Sequence, residues 1–380
     1  MEPLKMTINL TEKCNLACAY CYYREKGHAS INFDTIKAAI DMSVKRELPT
    51  KSSADENTGI CFFGGEPLLE KELIAETVRY TTSFHRETGH KFFYKMTTNG
   101  TLLDEPFLQF AKKANIIIAV SHDGLMNSGG REYTGAANLD KEKLQLLLKY
   151  QPYAITLTIA NPLSVSLFAD SIEWLYQQGF RYLITSPAHG SHIPWDDKSC
   201  DLLEDQYKKI ARLYIKWTKA EEKFFLGAFE TKIASHVESE KHTQKICHIG
   251  RDQISVAVDG KIYPCVQFVG NTDYCIGNVQ NGIDVKRQQA LASRHCGSPL
   301  CAGCAVNKRC IHTCGCMNSL DTGSVDQVSP FQCRHEKMLI SIADKTAEKL
   351  YRGKNRRFIA KHYDPAYPLV SLIEDGLRRV

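Results

Sequence analysis

A chain of 380 residues with 43% hydrophobic and 24% charged residues has the make-up of a folded globular protein, long enough for one large domain and a smaller one. No run of about 18 apolar residues occurs, and residues 1–10 lack the charged flank and long apolar stretch of a signal peptide, so the sequence predicts a cytoplasmic protein with no membrane span. A net charge of +5 is too small to suggest a nucleic-acid binder. The one basic cluster, Arg352, Lys354, Arg356, Arg357 and Lys361, reads first as a solvated helix face and second as a docking surface for an acidic partner.

Between residue 5 and about residue 186, short apolar runs alternate with amphipathic stretches, the pattern of repeated strand-helix units around a parallel sheet. Strands are expected over residues 5–10, 59–63, 92–97, 116–121, 154–159 and 182–186, and helices over 33–46, 70–88, 106–114, 140–150 and 166–178. Six strands are too few for a closed eight-stranded barrel, so the α/β fold expected is a partial (β/α)6 TIM-like barrel with its chemistry at the C-terminal strand ends. A polar loop with Pro187, Gly190, Pro194 and Trp195 leads to a helical connector from about residue 202 to 240. From Cys247 onward strands are short, turns dense and cysteines crowded, as in a small domain stapled by metal, and a last helix is expected over 336–351. The domain limits that follow are 1–200 for the barrel, 201–240 for the connector, 241–340 for the cysteine-rich domain and 341–380 for the C-terminal helix and tail.

Fifteen cysteines without an export signal point to metal rather than disulfides, and nine of them fall between Cys265 and Cys333. The first set, Cys14, Cys18 and Cys21, follows the first strand with the spacing CxxxCxxC. Three thiolates can hold three irons of a cubane and leave the fourth open to a chelating ligand, whereas a structural zinc site wants four ligands.

With Tyr20 inside it, this set resembles the signature of the radical S-adenosylmethionine superfamily. Gly64, Gly65, Glu66 and Pro67 after the second strand resemble that family's GGEP segment, which implies contacts to the methionine amino group. Thr98, Asn99 and Gly100, and then Ser121, His122, Asp123 and Gly124, resemble its segments lining the cofactor's ribose and carboxylate. Arg131 resembles an arginine used on the methionine carboxylate. The resemblance implies a catalytic 4Fe-4S cluster that gives one electron to S-adenosyl-L-methionine (SAM), releasing a 5′-deoxyadenosyl radical.

The later cysteines run Cys247, twelve residues, Gly260-xxxx-Cys265, then Cys301-xx-Cys304-xxxxx-Cys310-xxx-Cys314, and Cys333. This spacing resembles the SPASM extension of radical SAM enzymes, which implies two auxiliary 4Fe-4S clusters, three clusters in all. Carried over by position, Cys301, Cys304, Cys310 and Cys333 serve the outer cluster, and Cys247, Cys265 and Cys314 the inner one. The inner cluster is then one ligand short. Either Cys275, Cys296 or Cys316 fills the place, or an open iron binds a substrate thiolate, the reading slightly preferred. Cys61 reads as a small buried hydrophobe, and Cys200 has no evident role.

Across most of its length the chain also resembles anaerobic sulfatase-maturing enzymes, but Val266 stands where they carry an aspartate after the GxxxxC cysteine, and valine cannot take a proton. The resemblance to maturases of ribosomally made peptides (RiPP maturases) implies a thioether or carbon-carbon cross-link in a cysteine-containing precursor peptide, with a flavodoxin- or ferredoxin-type reductant. The cluster motif is reached by residue 14, so leader recognition is expected from a separate protein, from the C-terminal basic helix, or not at all. Formylglycine generation and, from another class, multi-cluster electron transfer are the alternatives. Tyr263, Gln267, His189 and His192 are weaker candidates for the substrate cavity.

Overall fold

The computed structural model describes residues 4–23, 26–44, 57–129, 141–237, 250, 253–293 and 299–377. The apolar runs become strands within two residues of their expected limits: β1 (Leu4–Asn9), β2 (Asn57–Phe63), β3 (Lys91–Thr98), β4 (Ile116–Ser121), β5 (Ile155–Ala160) and β6 (Tyr182–Pro187). They pair in that order, all parallel. Between them come α1 (Phe33–Val44), α2 (Lys71–Thr88), α3 (Glu105–Lys113), α4 (Lys141–Tyr150) and α5 (Phe168–Gln177). The limits have local causes. Asp104 accepts the Phe107 N–H at 2.9 Å ahead of α3, and α2 stops at Gly89, whose φ is +76°.

Two further strands extend the sheet at its edges. β7 (Phe225–Leu226) lies parallel to β6, and β8 (Gln253–Val256), from the cysteine-rich half, lies parallel to β1. β9 (Lys261–Tyr263), β10 (Gly277–Asn278) and β11 (Gly282–Ile283) continue beyond β8 antiparallel. Among the described residues these make one eleven-stranded sheet, ordered β11-β10-β9-β8-β1-β2-β3-β4-β5-β6-β7. No pairing joins β7 to β8 among the described residues, so the barrel is open, but the cysteine-rich segment shares its sheet.

The connector holds α6 (Asp197–Lys219) and α7 (Gly227–Val237). After β11 come α8 (Val285–Ala292), α9 (Pro299–Ala302), α10 (Gly315–Thr322), α11 (Pro330–Arg352), α12 (Arg356–Tyr363) and α13 (Tyr367–Leu377). Both long helices start earlier than expected because of their caps. At α6, Asp196 accepts the Ser199 N–H at 2.7 Å while Ser199 Oγ accepts the Asp196 N–H at 2.9 Å. At α11, Ser329 Oγ accepts the Gln332 N–H at 3.1 Å, and Pro330 takes the first helical position, where its missing N–H costs nothing.

α11 packs on α6 and α7 through buried polar pairs. Lys232 of α7 donates to Glu336 of α11 at 2.7 Å, and Tyr207 of α6 meets His335 at 3.0 Å. Part of the basic cluster, Arg357 and Lys361, also turns inward. Arg357 forks onto Glu374 at 2.6 and 2.9 Å, Lys361 pairs with the buried Glu230, and Arg352 pairs with Glu348 on its own helix. Arg352, Lys354 and Arg356 stay exposed, as the solvated basic face read from the sequence expects, while Arg357 and Lys361 are matched by carboxylates of other helices. Among the described residues no helix is long and apolar enough to cross a membrane.

Lys232→Met strands the Glu336 carboxylate in a buried site, and urea unfolding near neutral pH should show a loss of about 3–5 kcal/mol. His362 is held neutral, down to about 3, by burial and then by Lys361. Glu230 lies 3.4 Å from its Nε2, but Lys361 already matches that charge, so burial prevails. A depressed folded-state value means the stabilisation is complete above the ordinary histidine range and is lost progressively as pH falls from that range toward about 3. Between about pH 7.5 and about pH 5 the native chain should lose roughly 1–2 kcal/mol more than His362→Phe does in the same urea titration.

Candidate active site and its cysteines

Cys14, Cys18 and Cys21 occupy the loop after β1, at the C-terminal end of the parallel strands. This loop is bound along its backbone to the loop after β2. The Gly65 N–H donates to the Thr11 carbonyl and the Glu66 N–H to the Lys13 carbonyl, both at 2.8 Å. A Cβ on Gly65 would stand 2.1 Å from Lys13 O, and Gly64 has φ +137° with Thr11 O 2.4 Å from its own would-be Cβ. The close approach that demands two glycines here is thus to the cysteine loop itself.

Glu66 is fully buried. Its Oε1 accepts from the Thr98 hydroxyl at 2.6 Å and the Leu68 N–H at 3.0 Å, and its Oε2 from the Asn99 N–H at 2.8 Å. Burial pushes its carboxyl up despite these donors. A carboxylate has about four acceptor positions, so the described residues leave room on Oε2 for one more donor, and an ammonium fits it. Asn99 carries the network on to the cysteines. Its amide donates to Asn15 Oδ1 at 2.8 Å and stands 3.9 Å from Cys14 Sγ, while its Oδ1 accepts from the Thr101 hydroxyl at 2.7 Å. Burial pushes the Cys14 thiol up.

A second link runs from the Tyr20 hydroxyl, which donates to Asp123. Asp123 is buried at the end of β4, where its other oxygen accepts the Ile159 N–H at 2.9 Å, and Ser121 closes the same strand half-buried. The structure therefore gathers the cysteine loop, Gly64 to Glu66, Thr98 to Thr101 and Ser121 to Asp123 at one end of the sheet. Arg131 lies outside the described residues.

The cysteine-rich segment meets this end from the β1 side. Cys265, Cys314 and Cys316 converge, with Cys314 Sγ 3.5 Å from Cys316 Sγ and Cys316 also in hydrogen-bond reach of Cys265. Hydrogen bonding to Cys316 pulls Cys265 down and Cys314 down to about 7, and the same two neighbours, with burial, push Cys316 up. Tyr22 is held protonated first by burial and then by Cys21, Cys265 and Cys316, so it stands between the two thiol groups. Beside it a cavity is lined by Tyr22, Tyr23, Gly64 and Gly65 on the barrel side and by Val258 and Val266 on the other. Tyr23, pushed up to about 12 by burial and then by Glu12, donates to the Glu12 carboxylate at the same cavity.

Of the remaining cysteines, Cys301 and Cys304 close one turn, and Cys310 is buried next to α11, pushed up to about 12 by burial and by Glu336. Cys333 lies one turn before Glu336 on α11, hence on the same helix face. Cys247 and Cys296 lie outside the described residues. Cys275 donates to the Gly277 carbonyl at 3.3 Å, Cys200 is buried on α6, and Cys61 is half-buried on β2. Gln267 is in the turn after Cys265, and Tyr263 is buried on β9. His189 pairs with Asp321 of α10 at 3.1 Å, and the His192 ring packs against Gly190, so both secure the loop after β6. Sequence reasoning missed Asn15, Tyr22 and the Glu12–Tyr23 pair. Their only signal was closeness to the cysteine motif.

Residues 8–159 match the Radical SAM superfamily model, so this part of the chain is a radical SAM domain, and the protein is an enzyme. A 4Fe-4S cluster and SAM are the cofactors of such a domain. An uncharacterized protein of Methanocaldococcus jannaschii, MJ0907, is 27% identical over 74% of this chain and 90% of its own length. A cysteine-type anaerobic sulfatase-maturating enzyme of Clostridium novyi is 24% identical over 81% of this chain and 89% of its own. Native anSMEcpe with bound AdoMet shares the fold, with a TM-score of 0.75, 16% identity, and coverage of 92% of this chain and 100% of that one. Streptococcus suis SuiB bound to precursor peptide SuiA does so with a TM-score of 0.60, 13% identity, and coverage of 87% and 76%.

The backbone contact at Gly65 yields a test of the loop. Gly65→Ala must push Lys13 and the cysteine loop away, so SAM affinity, measured by anaerobic equilibrium dialysis of the reconstituted chain, should fall about tenfold or more. Unchanged affinity would show that the loop contact does not shape the SAM site.

Proposed function

We propose that this enzyme modifies a cysteine-containing peptide oxidatively, forming a cross-link of which a thioether is the favoured kind. The observation that carries the reading is the cavity shared by Gly64, Gly65, Tyr22 and Tyr23 of the radical SAM domain with Val258 and Val266 of the cysteine-rich segment. With the catalytic 4Fe-4S cluster held by Cys14, Cys18 and Cys21, bound SAM would supply a 5′-deoxyadenosyl radical to whatever lies in that cavity.

The chain's own residues then have distinct tasks. Glu66, with Gly64 and Gly65, would hold the methionine ammonium; Asn99, Ser121 and Arg131 would bind the rest of SAM. Cys301, Cys304, Cys310 and Cys333, and Cys247, Cys265 and Cys314, would hold two auxiliary clusters behind the cavity. Joining a thiol to a carbon removes one hydrogen atom from the carbon, one proton from sulfur and one electron. The auxiliary side is where that electron would go. Val266 presents only methyl groups, which suits a step needing water excluded rather than a proton taken at that position.

Formylglycine generation is the second reading, and two observations favour it. The Clostridium novyi relative is a sulfatase-maturating enzyme, and the Glu12 carboxylate, accepting from Tyr23, gives the cavity a base away from position 266. A flavodoxin- or ferredoxin-type reductant suits either reading, and a separate leader-binding protein suits the first.

One anaerobic assay separates them. The reconstituted enzyme, SAM and dithionite should yield 5′-deoxyadenosine at least about a hundredfold above a Cys14→Ala, Cys18→Ala, Cys21→Ala control. With a peptide carrying several cysteines, mass spectrometry should show loss of two hydrogens and of one alkylatable thiol. An aldehyde trapped by hydrazine from a sulfatase-type cysteine peptide, with no cross-link in the other, would replace the first reading by the second.

A further inference from the structure

We propose that Cys316 is the fourth protein ligand of the inner auxiliary cluster, closing it to outside thiolates. The inference rests on the reading of Cys247, Cys265 and Cys314 as the other three. Cys314 caps α10 and Cys316 stands in its first turn, and both thiols are turned to the same side, 3.5 Å apart. Cys265, in the turn after β9, reaches the same point, so three thiols from two distant segments meet.

One further observation agrees. The Thr313 hydroxyl and His312 Nδ1, immediately before Cys314, are buried and have no partner among the described residues. Buried polar atoms of that kind beside a group of thiols suit a cluster whose sulfides accept hydrogen bonds.

A closed cluster changes what the enzyme can do with its substrate. With a thiolate on each iron there is no vacant soft-metal position for the peptide's sulfur. The inner cluster then serves as an electron acceptor, and the substrate thiol must be presented to the carbon radical by the walls of the cavity.

The test uses the full-length chain with Cys14→Ala, Cys18→Ala and Cys21→Ala, reconstituted anaerobically, so that only auxiliary clusters remain, at about eight irons per chain. Isotopically labelled cysteine is added after dithionite reduction and followed by electron-nuclear double resonance. No coupling is expected while Cys316 is present, and a coupling with a shifted EPR signal is expected once Cys316→Ala is added. Loss of about four irons on that substitution, with circular dichroism unchanged, supports the assignment equally. Should Cys316→Ala misfold, Cys316→Ser decides: retained iron with moved g values supports ligation, and an unmoved spectrum overturns it. Labelled cysteine binding with Cys316 in place, or a site opened by Cys275→Ala instead, also overturns it. About four irons in the starting background would overturn the two-cluster reading beneath it.

Discussion

The pairing of β8 with β1 is the contact on which the rest of the site depends. β1 ends directly before the cysteine loop, and β8 ends directly before the turn that carries Val258. Because the two strands are parallel, both turns leave the same end of the sheet; an antiparallel β8 would have sent Val258 to the opposite end. The register is locked by Asn9, whose buried amide donates to Ser255 Oγ at 2.8 Å and to the Val256 carbonyl at 2.9 Å. Losing such a donor would leave two buried acceptors unmatched, at about 1–3 kcal/mol each. A shift of one residue would also exchange Met6 and Ile8, both fully buried, for their neighbours.

The barrel was legible because its signals are local. Each of the six strands is an apolar run bounded by turn residues, and each motif sits in the loop that follows. What escaped was set by partners far along the chain. β7 and β8 are too short to show a period, and only the waiting edges of β6 and β1 make them strands. The starts of α6 and α11 were written in Asp196 and Ser329, but polar residues in a loop look alike until one of them faces a helix's unmet N–H groups. The two glycines of the GGE segment were visible, yet the surface they approach, the Thr11 to Lys13 backbone, was not. Cys316 was visible as a cysteine, while its nearness to Cys265 is a property of the fold.

Charge around the outer cysteines is arranged with equal dependence on distance in sequence. Glu336 is buried beside Cys310, accepts the Ile311 N–H at 2.9 Å and is held ionised against its burial by Lys232. Arg309 forks onto Asp344 of α11 at 2.6 and 2.8 Å and donates to the Lys232 carbonyl at 3.0 Å. The neighbourhood of Cys310 and Cys333 thus contains two cations, Lys232 and Arg309, matched to two carboxylates. Removing either cation would leave net negative charge next to thiolates, which disfavours further reduction there. The helices that flank these cysteines therefore set the electrical conditions of the site as well as its shape.

The cavity raises a sharper question about selectivity. A carbon-centred radical takes hydrogen from almost any aliphatic neighbour, so the chain must decide the outcome by what it places within reach and what it keeps out. Val258 and Val266 offer no acid or base, Tyr22 is locked among thiols, and the one proton-accepting pair that lines the cavity among the described residues is Glu12 with Tyr23. Thioether formation and formylglycine generation both remove two electrons and differ only in what happens at the carbon afterwards. If the inner thiols are all committed to metal, capture by iron-bound sulfur is not available, and the choice falls to the position of the substrate's own sulfur relative to Glu12. A sulfur held near that carboxylate can lose its proton: on a second residue it then attacks the oxidised carbon and closes the thioether, and on the oxidised carbon itself it leaves a thioaldehyde that water hydrolyses to the aldehyde, releasing hydrogen sulfide.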